Sequence, residues 1–253
     1  MSLFFEQGLV KIYNDDFLTI DLPENSVDLI VTSPPYNVGI EYASHDDTNS
    51  YAHYLDFTTA WLKKALYLCK DDGRMCLNIP LHTDKHEARS FYVDVFNRAK
   101  EIGWKYKSVI VWNKYGSNMK GNTAWGSWLS ASAPFINVNQ VETIVLMYKG
   151  MWQKKNKGES DLTRDDFMLW TNGIWEFSGE KTAVGHPAAF PLELPKRCIK
   201  LFSYVGDTVL DPFLGSGTTL TVCRQTGRHG IAIEKDEGYC RIAKRRNDNL
   251  ELF

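Results

Sequence analysis

Short apolar runs alternate with longer amphipathic stretches along the chain. Residues 28–32 (DLIVT) are compact and β-branched and end at Ser33-Pro34-Pro35, so they predict a buried strand that stops at a loop. Residues 50–70 place Leu55, Thr58, Leu62, Ala65 and Leu66 at helical spacing, and Asp71-Asp72-Gly73 closes the run. Residues 74–79 read as the next strand, 84–102 as a helix stopped by Gly103, and 107–112 and 142–147 as further strands. After Pro191 the rhythm continues with a helix over 192–203, a strand over 208–211, a helix over 220–226, a strand over 230–234 and a basic terminal helix over 236–249. Such alternation predicts an α/β fold with a mostly parallel sheet. Two stretches interrupt it. Residues 114–139 are rich in Gly, Ser, Asn and Trp, and 149–166 are polar and basic. Both read as loops or a small inserted module, and loops of this length in a compact enzyme are usually functional.

Composition narrows the class. With 253 residues, 43% hydrophobic and 24% charged, the chain predicts one domain over 1–253, with 115–175 as an element inserted within it. No apolar run reaches the ~18 residues needed to span a bilayer, and no signal peptide is visible. The five cysteines are dispersed with no CxxC pair, which points to reduced thiols and a cytoplasmic protein without membrane association. His82 and His86 share a helical face but lack a third ligand, so no metal is expected. The net charge of −2 hides an asymmetry: residues 1–56 hold one basic residue against ten acidic ones, whereas 98–157 hold ten basic against two acidic.

The first candidate for chemistry is VLDPFLGSGTT, a strand running into a glycine-rich turn and then a helix. It is neither the P-loop nor GxGxxG. Glu234, 17 residues after Gly217, ends the next strand, where a carboxylate can accept hydrogen bonds from a ribose diol. Asp211 beside the loop suits a ligand carrying an ammonium and repels a pyrophosphate. The pair therefore predicts an adenosine-containing, cationic ligand. The second candidate is Thr32-Ser33-Pro34-Pro35-Tyr36-Asn37. Prolines lack an N–H and fix φ, so the Ser33 hydroxyl and the Pro34 carbonyl are left to accept from an amino group, with Tyr36 offering an aromatic face.

Together, TSPPYN, DPFLGSGTT, HPAAFPLELPKRCIKLFS (186–203) and VETIVLMYKG (141–150), with the catalytic loop first and the cofactor loop after a variable region, resemble the β group of S-adenosylmethionine-dependent DNA amino-methyltransferases. The resemblance covers most of the chain apart from about 115–140 and 151–175. It implies a Rossmann-like methyltransferase fold with a seven-stranded, mostly parallel sheet and an inserted target-recognition element. It also implies site-specific methylation of an exocyclic amino group on a base flipped out of double-stranded DNA. Carried over, Ser33, Pro34, Pro35 and Tyr36 are catalytic. Asp15, Asp211, Pro212, Phe213, Gly215, Ser216, Gly217, Thr218, Glu234 and Lys196 bind the cofactor, S-adenosyl-L-methionine.

Ser33 heading its motif, and Phe190 in HPAAFP, resemble the members that methylate cytosine N4. Adenine N6 is the alternative, because both bases present the same two amino hydrogens; RNA or a small-molecule amine is a third substrate class. The basic middle of the chain is expected to meet DNA phosphates through Lys114, Lys120, Lys154 and Lys155, with Asn122 able to read a base edge. A cognate restriction endonuclease would have to be a separate chain, since 253 residues leave no room for one. A homodimer is compatible with this picture.

Overall fold

The computed structural model describes residues 2–36, 51–82, 90–114, 140–179 and 191–248. In chain order the elements are β1 (Leu3–Gln7), β2 (Val10–Asn14), β3 (Val27–Thr32), α1 (Tyr51–Leu68), β4 (Cys69–Pro80), α2 (Phe91–Ile102), β5 (Lys105–Asn113), β6 (Val141–Tyr148), α3 (Arg164–Trp170), β7 (Ile174–Glu176), α4 (Glu193–Phe202), β8 (Thr208–Asp211), α5 (Thr218–Gln225), β9 (His229–Glu234) and α6 (Glu237–Asp248).

These nine strands join one sheet in the order β1-β2-β9-β8-β3-β4-β6-β5-β7. Only β1 and β6 of them run against the others. The seven strands that the resemblance implies are β2 to β5 in this order, all but β2 of them located from the sequence, and β1 and β7 extend them at either edge.

The pleat assigns each strand residue to a face. In β3, Ile30 packs with α1 and α2, while Leu29 and Val31 pack with α4, α5 and α6. Every residue of β3 is buried, as a central strand covered on both faces requires. α1 buries Tyr54, Thr58, Trp61, Leu62, Ala65 and Leu68, one stripe at helical spacing. α2 ends where the sequence predicts: Gly103 adopts φ 119° and its N–H closes onto the Ala99 and Lys100 carbonyls. Among the described residues, no helix is long and apolar enough to cross a membrane.

Two features lie outside what the sequence suggests. The first is the N-terminal hairpin, for which the sequence analysis gives no element; β1 and β2 turn at Gly8, φ 57°. The second lies within the expected inserted element, 115–175. Residues 149–176 are part of the main fold: β7 pairs in parallel with β5, and α3 is capped by Thr163, whose hydroxyl accepts from Asp166 N at 3.1 Å. The rest of that element, 115–139, lies outside the described residues, as do His86 and Phe190.

Connections leave β8 toward β9 and leave β3 toward β4, so the direction of winding reverses between β8 and β3. In open α/β sheets, the carboxyl ends of the strands at such a reversal are where ligands bind.

Candidate active site at the carboxyl edge of the sheet

The reversal brings the two motif-bearing loops together. Thr32, the last residue of β3, donates its hydroxyl to Asp211 Oδ1 at 3.1 Å across the sheet. Asp211 ends β8 and is almost wholly buried, at 1% exposure. It also accepts from Thr219 Oγ1 at 2.7 Å and from the Phe213 N–H at 3.2 Å. Burial nonetheless dominates and pushes its carboxyl up to about 6, against the pull of these three donors. A carboxylate so poorly solvated gains most from a cationic partner.

The loop after Asp211 is held from below and from the side. Pro212 is buried and Phe213 half-buried. The Phe213 ring meets Trp61 edge-on at 5.6 Å and lies 6.2 Å from Phe17. Gly215 and Gly217 take φ of 52° and 82°. A Cβ on Gly217 would lie 2.7 Å from the Ala243 Cβ of α6, so this glycine also lets two helices close on each other. Arg246 donates from Nη1 to Thr218 Oγ1 at 3.0 Å and to Ser216 Oγ at 3.3 Å, fixing the hydroxyls that open α5. The sequence analysis read this segment only as a basic terminal helix and gave Arg246 no role. The signal available was its place on α6, which follows the β9 strand that flanks the loop.

Glu234 ends β9 beside this loop. One carboxyl oxygen accepts from Gly215 N at 3.0 Å and the other from Asp236 N at 2.9 Å. Each keeps a lone pair, enough for two further donors. Burial raises its carboxyl above the ordinary value, and those two N–H groups oppose the rise. Asp15 follows β2, whose Asn14 stands opposite Glu234; the Asp15 N–H donates to the Glu234 carbonyl at 3.1 Å. Lys196, on α4, turns to Glu193 at 3.7 Å and lies 5.8 Å from the Trp170 ring centre.

On the other side of the reversal, Pro34 is buried while Ser33, Pro35 and Tyr36 are half-buried. Ser33 Oγ and the Tyr36 hydroxyl are 2.5 Å apart. The Tyr36 hydroxyl donates to the Asn78 carbonyl at 3.1 Å and accepts from Asn78 Nδ2 at 3.0 Å. Asn78 Nδ2 also donates to Glu142 Oε2 at 2.6 Å, and Glu142 Oε1 is ion-paired with Lys114 at 2.8 Å. Sequence reasoning missed Asn78 on β4, which carries no motif, and gave no role to Glu142 on β6, although it stands in VETIVLMYKG.

Most of the described lysines between 105 and 155 stand at the amino ends of the strands. Lys154 is buried, with its ammonium 2.6 Å from Asp28 Oδ1 and 3.2 Å from Asp207 Oδ2, at the starts of β3 and β8. Lys155 donates its backbone N–H to Asp72 and pairs with Asp71 at 3.6 Å. Lys149 bonds Asn25 at 2.7 Å and the Cys69 carbonyl at 3.0 Å, and Lys105 bonds the Gly150 carbonyl at 2.7 Å. These are amino-end positions, and the five residue steps from Asp28 to Ser33 span roughly 16 Å. Of the two lysines expected to meet DNA, Lys154 is ion-paired inside the fold, and both Lys154 and Lys155 lie at the opposite end of the sheet from Ser33. Lys114 does stand at the carboxyl edge, but ion-paired. Lys120 and Asn122 lie outside the described residues.

A doubly wound sheet carrying a Pro-Pro-Tyr loop and a glycine loop on either side of its reversal defines a methylase architecture. The DNA methylase family of N6/N4 enzymes matches residues 27–245, and the chain belongs to this family. It is 55% identical over 171 residues to the type II methyltransferase M.MjaVI of Methanocaldococcus jannaschii, covering 68% of this chain and 87% of that one. Over 244 residues it is 29% identical to M.HpaI of Haemophilus parainfluenzae, covering 90% of this chain and 70% of that one. Among solved structures, a DNA modification methylase of Thermus thermophilus complexed with S-adenosyl-L-methionine superposes with TM-score 0.75 at 27% identity, covering 96% and 95% of the two chains. PvuII DNA methyltransferase, which is cytosine-N4-specific, superposes with TM-score 0.76 over 100% and 91% of the chains. At 19% identity that likeness is one of fold.

Proposed function

We propose that the protein transfers a methyl group from S-adenosyl-L-methionine to the exocyclic amino nitrogen of a base flipped from duplex DNA, the base being cytosine and the atom N4. The 3.1 Å bond from Thr32 to Asp211 carries the reading, because it sets the Ser-Pro-Pro-Tyr loop and the glycine loop side by side.

The residues fit the cofactor. Asp211 offers a desolvated carboxylate to a cationic group. Glu234 retains lone pairs for a ribose diol, with Asp15 next to it. Pro212, Phe213, Gly215, Ser216, Gly217 and Thr218 form the bed between them. When bound, S-adenosylmethionine supplies a sulfonium methyl as the electrophile.

On the base side, the Tyr36 ring stacks on the flipped base. Ser33 Oγ and the Pro34 carbonyl accept the two amino hydrogens. This holds the nitrogen in place and favours its pyramidal, more nucleophilic shape as positive charge develops on it. Cytosine is supported by the serine that heads the motif. The flanks of residues 115–139 support that segment as the recognition element, since Lys114 and Gln140 meet at the carboxyl edge through a 2.9 Å backbone bond.

The test is incubation with methyl-labelled cofactor and duplex DNA, followed by digestion to nucleosides. Label in N4-methylcytosine is the expected result. Label in N6-methyladenine corrects the base alone, and label on RNA only overturns the assignment to DNA.

A further inference from the structure

A hydroxyl placed to hold an amino group can also work against it. If the Ser33 hydrogen points at the substrate, it either opposes the amino hydrogens or bonds to the nitrogen lone pair, the pair that must attack. The direction of one O–H bond therefore matters to the reaction.

The hydrogen bonds around Tyr36 decide that direction. A phenol has one hydrogen. The Asn78 main-chain carbonyl, 3.1 Å from the Tyr36 oxygen, can only accept, so the one phenol hydrogen is assigned to that bond. The phenol oxygen then acts only as an acceptor toward Asn78 Nδ2 at 3.0 Å and Ser33 Oγ at 2.5 Å. The Asn78 amide is itself held one way round. Its NH₂ faces the Glu142 carboxylate at 2.6 Å, and a carboxylate paired with Lys114 at 2.8 Å only accepts. Turning the amide over would set Oδ1 against that carboxylate. Asn78 Oδ1 is buried with no hydrogen-bond partner among the described residues, so the amide is oriented by what its nitrogen finds rather than by its oxygen.

We propose that Asn78, oriented by Glu142 and Lys114, is a positioning residue that fixes the Tyr36 hydroxyl as the acceptor of the Ser33 hydrogen. Ser33 therefore presents only lone pairs to the substrate amino group. Asn78 acts through Tyr36 and touches neither substrate nor cofactor. The inference rests on the proposed role of Ser33 in methyl transfer.

The experiment measures single-turnover methylation of cognate duplex DNA by the full chain, with Tyr36→Phe, Asn78→Ala and the double variant. Tyr36→Phe keeps the stacking ring but removes the acceptor, so the methyl-transfer rate should fall about tenfold with KM for DNA near its original value. Asn78→Ala should also lower the rate and spare KM. Because both act on the same hydrogen, the double variant should be no slower than the slower single variant, within a factor of about two. Asn78→Asp is a near-isosteric second variant should Asn78→Ala fold poorly, with folding checked by circular dichroism. It puts a second carboxyl against Glu142 and should lower the rate with no gain in KM.

Losses that multiply in the double variant, or that fall on KM with the rate intact, overturn the proposal alone. Absence of transfer by the unaltered chain overturns the reading beneath it as well.

Discussion

The two ends of the sheet use charge in opposite ways. At the amino end, Lys154 is locked between Asp28 and Asp207, and Lys70 adds a second ammonium to Asp28 at 2.7 Å. Asp28 is held below its usual carboxylate range by Lys154 and Lys70 despite the opposing effect of burial. At the carboxyl end, Asp211 is buried with hydroxyls and one N–H but, among the described residues, no cation in its bonds, and its carboxyl sits high. One end has neutralised its buried carboxylate within the fold, and at the other, in the function proposed above, that falls to the cofactor. The contrast separates a charge compensated inside the fold from one that is not, which composition alone does not distinguish.

The contrast breaks most visibly at Lys154. Lys154→Ala leaves Asp28 with the half-exposed Lys70 as its remaining ion pair among the described residues and with the Thr208 N–H, and should cost about 3–4 kcal/mol in denaturant unfolding while leaving the salt dependence of DNA binding unchanged. A reduced salt slope would return Lys154 to the DNA interface.

Asp211→Asn should do the reverse. A carboxyl raised to about 6 in the folded protein favours the folded state when protonated. Its contribution is complete below the unfolded value near 4 and is lost as pH rises through about 6. The amide escapes that loss. The variant should be more stable than the original by about 2–3 kcal/mol at pH 8, with the gap closing toward pH 4, in thermal scans without cofactor. The same variant should bind S-adenosylmethionine more weakly by calorimetry. A gap that widens toward acid would show that burial does not dominate at Asp211.

Gly217→Ala should cost about 2 kcal/mol through its left-handed backbone and the clash with Ala243. If instead cofactor affinity falls with stability intact, ligand approach rather than helix packing explains the glycine. Lys155→Ala, at an exposed pair, should change stability by less than about 0.5 kcal/mol and leave methyl transfer unchanged.

What the sequence revealed follows from locality. Ser33 to Tyr36 and Asp211 to Thr218 are contiguous, so both the stiffness of the prolines and the freedom of the glycines could be read in place. Glu234 followed from the end of an apolar run. Strand β3 and helix α1 were legible because their burial has a clear pattern.

The failures are non-local. Asn78 meets Glu142 across 64 residues of chain, and Lys154 meets Asp28 across 126. A cluster of lysines in sequence says nothing of whether one of them folds onto a distant aspartate. Strand β7 is three residues long, too short to show a period, and α3 leaves Phe167, Met168 and Leu169 exposed, so it lacks the usual apolar stripe. The Thr163 cap with two acidic residues in the first turn was the available sign of α3.

The pairing of β2 with β9 also bears on how the protein is made. Asn14 bonds the Glu234 carbonyl across 220 residues, so the strand carrying Glu234 finds its neighbour in chain that left the ribosome long before it. During synthesis β3, β4 and β6 can pair well before β8 and β9 exist, and β2 waits without its parallel partner. The half that carries the Ser-Pro-Pro-Tyr loop is thus made early and the half that carries the glycine loop late, its joint closed between strands made far apart in time. A chain stopped before residue 229 has its Ser-Pro-Pro-Tyr loop but lacks β9, and with it Glu234 and the neighbour that β2 awaits.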